Sequence, residues 1–123
     1  MNKTTIIAIF LSFLSLSSLA QPLPKREVRA VWLTTIGGLD WPHNYAQGYR
    51  SREKQQEEFR TLLDKYQKAG INTILLQTRI RATTIYPSAY EPWDGCLSGK
   101  PGVSPGYDAL AFAIEECHNR GME

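Results

Sequence analysis

The chain has 123 residues, two histidines, two cysteines and a formal net charge of +2. That balance lacks the basic footprint of a nucleic-acid binder, and the Cys and His spacings match no metal-binding pattern. Beyond residue 20 no apolar run is long enough to cross a bilayer, so nucleic acid, a Cys/His metal site and a membrane span of the mature chain are set aside.

Residues 1–20 read as a secretory signal peptide. Lys3 supplies the positive start, Ile6 to Leu16 the apolar stretch, and Ser18-Leu19-Ala20 the small-x-small cleavage site. The mature chain then starts at Gln21, and the protein is exported to the periplasm, the cell surface or the medium. A membrane anchor is the competing reading, opposed by the shortness of the run and its serines. No cysteine follows the cleavage site, so a lipid-anchored start is not supported. Losing Lys3 and no acidic residue takes the formal charge from +2 to +1.

Gln21 to Glu27 is a charged, proline-bearing lead-in. Val28 to Thr35 concentrates Val, Trp and Thr and predicts a first strand. An aromatic loop over Leu39 to Tyr49 follows, with Asp40, Trp41 and His43. Ser51 is placed to cap a helix, with Glu53 in its first turn. Phe59, Leu62, Leu63 and Tyr66 form its apolar stripe. Asp64 and Lys68 stand at i, i+4 on the wet side. Gly70 closes the helix.

Ile71 to Leu76 has the length and apolarity of a buried strand. Continuing its alternation puts Thr73, Leu75, Gln77 and Arg79 on one face and Ile74, Leu76 and Ile80 on the other. The first face turns polar where the strand meets a long loop. That loop, Arg81 to Gly106, exceeds the usual length for such a connection, and its aromatic content argues for order. Asp108 is placed to cap a second helix, whose predicted buried stripe is Leu110, Ile114 and Cys117. Gly121 stops it, and a third strand is expected from there. Cys96 and Cys117 fit either a disulfide in an oxidising compartment or free thiols packed as small hydrophobes.

Alternation of this kind, β-α-β-α, predicts an α/β fold with a parallel sheet. An open doubly wound sheet and a (β/α)8 barrel compete. No G-x-G-x-x-G and no phosphate loop follows the first strand, which leaves no cofactor motif and weakens the open sheet. Polar residues at the end of the second strand fit a barrel mouth, so residues 28–123 are read as the N-terminal portion of a TIM-type barrel, up to the start of a third strand. A closed barrel takes typically about 250 residues, more than follow the leader.

Several segments carry a resemblance to a known family. Arg26-Glu27-Val28-Arg29-Ala30-Val31-Trp32-Leu33-Thr34-Thr35 and Leu39-Asp40-Trp41-Pro42 resemble the opening of glycosyl hydrolase-like family 10. Gly70-Ile71-Asn72-Thr73 with Gln77-Thr78-Arg79 is similar to its second strand. Tyr86-Pro87-Ser88, Glu91-Pro92-Trp93, Leu97-Ser98-Gly99 and Pro105-Gly106-Tyr107-Asp108 are similar to its long loop. Ile114-Glu115-Glu116-Cys117-His118 through Gly121-Met122-Glu123 is similar to its next helix. The resemblance implies a (β/α)8 barrel acting on glycans in exported bacterial proteins, some of them glycosidases of cell-wall polysaccharide. It also implies that the catalytic carboxylates lie beyond Glu123. One departure falls inside the chain: the family commonly has Gly-Asp after the Gln-x-Arg element, where this chain has Ala82-Thr83-Thr84.

Glycoside hydrolysis usually needs two carboxylates flanking the scissile bond. Asp40, Glu91 and Asp94 are available but lie in loops rather than at strand ends, and read as turn or helix-end hydrogen-bond acceptors. Arg79 reads as a substrate contact or as a structural ion pair beneath the loop. Gln77 would orient a substrate hydroxyl or satisfy a neighbour. Trp32 and Trp41 offer indole faces for stacking on pyranose rings, against loop anchoring, and Tyr86 a rim hydroxyl, against packing. The function expected is hydrolysis of a polysaccharide by acid/base catalysis. The alternatives are a non-catalytic carbohydrate-binding barrel and an inactive truncated product.

Overall fold

A computed structural model describes residues 27–123. The expected leader and all but Glu27 of the lead-in lie outside the described residues. Strand β1 (Ala30–Leu33) pairs in parallel with β2 (Thr73–Leu76), Trp32 standing opposite Leu75 and Leu33 opposite Leu76. Helix α1 (Tyr49–Lys68) connects them. The mixed α/β alternation read from the sequence is present.

Helix α1 begins three residues earlier than expected. Gly48 is its N-cap, and Ser51 is the third helical residue, whose Oγ accepts from the Gly48 and Gln47 amides at 3.0 and 2.9 Å. The serine still satisfies the chain entering the helix, but from inside the first turn. Phe59 and Leu63 are fully buried, with Leu62 and Tyr66 packed beside them. Gly70, at φ +80°, ends the helix: its amide reaches the Gln67 carbonyl and that of Ile71 reaches Tyr66, the paired bonds of a Schellman motif.

Residues 77–106 are ordered by their own pairing. The β2 ladder stops at Leu76, and Arg79 belongs to a separate antiparallel hairpin of β3 (Arg79–Ile80) and β4 (Thr83–Thr84). The single alternating strand expected through Arg79 is therefore corrected, because the chain turns away after Gln77. Trp93 bridges to Thr84. Asp94 caps the one-turn helix α2 (Gly95–Ser98), accepting from the Cys96 amide at 2.7 Å. Ile80, Ile85 and Leu97 anchor this region in the core.

Helix α3 (Ala109–His118) is capped by Asp108 as expected, the carboxylate accepting from the Ala111 amide at 3.0 Å. Its buried stripe is Ala109, Ala113 and Cys117, while Leu110 is half-buried and Ile114 is 47% exposed. The expected stripe is thus rotated: small alanines let α3 approach α1, and the larger side chains flank Ile74 and Leu76 of β2. Both cysteines are free and buried. Asp64 pairs with Arg120 at 2.7 Å rather than with Lys68, and Arg120 and Arg60 both hold Glu116.

The end of α3 repeats the end of α1. The Gly121 amide reaches His118 and that of Met122 reaches Cys117, with Gly121 at φ +67°. The next residue then joins the sheet: Glu123 donates to Asn72 at 2.9 Å and accepts from Ile74 at 2.7 Å. Those two bonds flank Thr73, the pattern of a parallel pairing on the second edge of β2.

Candidate functional site

The carboxyl ends of β1 and β2 are tied together through Gln77. Its side-chain Oε1 accepts from Thr34 Oγ1 and from the Thr35 and Ile36 amides at 3.1 and 3.2 Å. The fully buried Thr35 returns its hydroxyl to the Gln77 carbonyl at 2.9 Å. With Oε1 committed to three donors, the amide plane is fixed and Nε2 meets no acceptor among the described residues. Gln77 therefore satisfies its neighbours across the two strand ends, as one of the two sequence readings has it.

Arg79 is gripped by Glu91. Its Nε reaches both carboxylate oxygens at 2.9 and 2.7 Å, and a further Nη2 bond completes a fork. The hydrogen bond and charge of Glu91 hold the guanidinium above its ordinary pKa, with Tyr86 adding to the effect. The Arg79 hydrogen bond in turn holds Glu91 below the usual carboxylate range. The pair is net neutral and water-facing, the arginine side chain being 61% exposed. Tyr86 is half-buried beside it, its carbonyl accepting from Thr84 Oγ1 at 2.8 Å.

The tryptophans divide. Trp32 is 69% exposed on the sheet face turned away from the helices, opposite Leu75. Trp41 is 0% exposed, tilted against Phe59 at 4.8 Å, with its indole N–H on the Gln55 carbonyl at 3.0 Å. The expectation that Trp41 offers a face to a sugar is corrected: the indole is enclosed in the core and stitches the loop to α1.

All three loop carboxylates are engaged. Asp40 accepts from the Thr34 amide at 2.8 Å, Glu91 holds Arg79, and Asp94 caps α2. Burial works to raise the Asp94 pKa, but hydrogen bonds from Thr83 and the Cys96 amide prevail and lower it. A general acid needs the opposite shift, so neither Glu91 nor Asp94 is arranged as one. His43 meets Glu58 through ring and backbone nitrogens, and Asn44 joins them. This cluster lines an open groove along α1. Among the described residues no three His, Cys, Asp or Glu side chains are grouped to hold a metal ion, and no helix is long and apolar enough to cross a membrane. The sequence reading missed the partnership of Glu91 with Arg79. The two stand twelve positions apart across a turn, and no helical or strand period links such positions.

A family model described as glycosyl hydrolase-like 10 matches residues 27–123. The chain is 42% identical over 110 residues to glycosyl hydrolase YngK of Bacillus subtilis (strain 168), covering 89% of this chain and 21% of that protein. It is 38% identical over 103 residues to glycosyl hydrolase DigH of Escherichia coli (strain K12), covering 80% and 24%. The chain thus spans less than a quarter of the length of these curated relatives.

Proposed function

The chain belongs to the glycosyl hydrolase-like 10 family, and on that premise we propose that it forms the opening of a (β/α)8 barrel that hydrolyses glycosidic bonds in a polysaccharide outside the cytoplasm, a cell-wall glycan being the favoured substrate. The observation that carries this reading is the rigid polar rim at the carboxyl ends of two parallel strands, where barrel enzymes bind substrate. There Gln77 leaves Nε2 without an acceptor among the described residues and Arg79 is locked by Glu91. Arg79, Gln77 and Tyr86 act as substrate contacts, and Trp32 lines the wall below them. The acid and base stand at the ends of later strands, since the loop carboxylates here are engaged elsewhere. Export rests on the pattern of residues 1–20, and a mature N terminus at Gln21 by mass spectrometry is its check.

The experiment is reducing-end release from peptide-free cell-wall glycan strands by the native protein. Changing carboxylates at later strand ends to amides should cut the rate about 10²–10⁴-fold, and Gln77→Ala should lower it through KM. One observation favours a second reading, a carbohydrate-binding barrel without catalysis: Asp40, Glu91 and Asp94 all serve the scaffold. Binding of the strands with no release of reducing ends would establish that reading instead.

A further inference from the structure

Two connections meet in a groove of about 520 Å³, in the size range of small-ligand clefts. Its lining comes from residues 46–52, which follow β1, and from residues 98–106, which follow β2. Barrel enzymes build their substrate face from such strand-to-helix connections. Arg52 and Lys100 both line the groove, and no acidic side chain does. The groove along α1 is different, because there Asp40, Glu53, Glu57 and Glu58 offset the lysines and the arginine. Neither Arg52 nor Lys100 forms an ion pair among the described residues.

Arg52 is held before any ligand arrives, so little ordering remains to be met on binding. Its Nη1 donates to the Gly106 carbonyl at 2.6 Å, and its guanidinium lies 5.8 Å from the centre of the Tyr49 ring. Gly106 has φ +82°, and a Cβ there would come within 3.2 Å of Arg52 Nη1, so the glycine makes room for this contact. The Nε and Nη2 edge of the guanidinium meets no acceptor among the described residues. That edge is the fork that takes both oxygens of a carboxylate side by side. Lys100 adds a point charge, on a backbone fixed by the buried Ser98: its Oγ donates to the Lys100 carbonyl at 2.9 Å and accepts from the Lys100 amide at 3.3 Å. The Gln47 and Gly48 amides at the start of α1 are already taken by Ser51 Oγ, so the two side chains, and not the helix end, give the groove its charge.

We propose that this groove is an outer glycan subsite for a carboxylate-bearing sugar unit, with the Arg52 fork and the Lys100 ammonium meeting the carboxylate. This rests on the glycan-hydrolase reading and goes further, by naming a second place of contact and the charge class of the sugar it takes. Arg52 and Lys100 here are binding residues, outside the bond-breaking chemistry.

The test uses the native protein with variants made at its own locus. The probes are peptide-free cell-wall glycan strands, whose lactyl groups bear carboxylates, and the same strands with those carboxylates reduced to alcohols. Wild type should bind the reduced strands about tenfold more weakly at about 0.05 M salt, and the gap should narrow at about 0.5 M. Lys100→Glu, a change at an exposed side chain, should weaken binding of the unreduced strands about tenfold and leave that of the reduced strands within about twofold. Arg52→Lys keeps the charge and loses the fork, and should weaken binding of the unreduced strands about fivefold. Equal wild-type affinity for both kinds of strand, with reducing ends still released, would overturn the subsite and leave the hydrolase reading intact. A Lys100→Glu loss of the same size on both kinds would overturn it as well, and Arg52→Lys binding like wild type would overturn the forked contact. A wild-type protein that neither binds nor cleaves the strands would remove the glycan reading and this subsite with it.

Discussion

Arg81 and Ala82 occupy the two central positions of the β3–β4 turn with φ of +48° and +60°. Two-residue hairpin turns with both central φ values positive favour Asn-Gly or Asp-Gly, because a Cβ is strained there. This is the stretch where the chain departs from the Gly-Asp of the family pattern, so that departure carries a conformational cost. Ala82→Gly should raise stability by roughly 0.5–1 kcal/mol in urea denaturation of the native protein; an unchanged or lower midpoint would contradict the strain. A second residue-scale effect sits at His43, whose pKa the Glu58 hydrogen bond raises above 6.5, with burial opposing. The stabilisation is then fully present below the unfolded value near 6.5 and is lost as pH rises through the folded value. His43 is 59% exposed, so solvent screening keeps the effect below about 1 kcal/mol. Stability measured from pH 6 to 9 should fall in wild type and flatten in Glu58→Gln. Legibility at this scale was uneven. Asp108 and Gly70 were readable because capping depends on the chain nearby. Trp41 was not, because an indole in a loop looks the same whether it faces a sugar or Phe59.

Helix ends carry local signals, while helix rotation is decided by what lies across the interface. Gly70 and Gly121 mark the same Schellman closure in α1 and α3, and both were visible in sequence. The α3 stripe was misjudged because bulk was weighed over fit. Ala109 and Ala113 face the core, which brings Phe112 to 5.8 Å from Phe59 and lays the Arg60 guanidinium over the Phe112 ring at 5.2 Å. Close approach also builds the chain of ion pairs from Asp64 through Arg120 and Glu116 to Arg60. Burial works to raise the Glu116 pKa, but hydrogen bonds from Arg60 and Arg120 win and lower it. Its contribution is therefore present above the unfolded value near 4.5 and lost as pH falls through the folded one. With its side chain only 15% exposed, Glu116→Gln should cost about 1–3 kcal/mol at neutral pH. The gap from wild type should close toward pH 3. A gap that persists in acid would assign the loss to packing instead.

At the scale of the whole molecule the sheet has one dressed face and one bare one. Leu33, Ile74 and Leu76 lie against the helices, whereas Trp32 and Leu75 face away, 69% and 46% exposed and directly opposite each other. The β-α-β order was legible because period-two and period-3.6 patterns alternate cleanly along the chain. Whether the sheet closes into a barrel was not, because two paired parallel strands are common to a barrel and an open sheet. The pairing of Glu123 on the second edge of β2 extends the sheet in the direction a barrel requires, and in a closed barrel the bare face becomes the packed interior. That consequence is measurable through Trp32. If the native protein closes over this face, Trp32 is shielded from acrylamide while its indole remains fluorescent. Trp32→Phe should then remove a blue-shifted, quencher-resistant component, and the cavity left by Trp32→Ala should cost about 3–5 kcal/mol. A Trp32 signal quenched as freely as a solvated indole, with Trp32→Ala near neutral, would mean that no barrel interior forms there and that the parallel pair keeps one face in water.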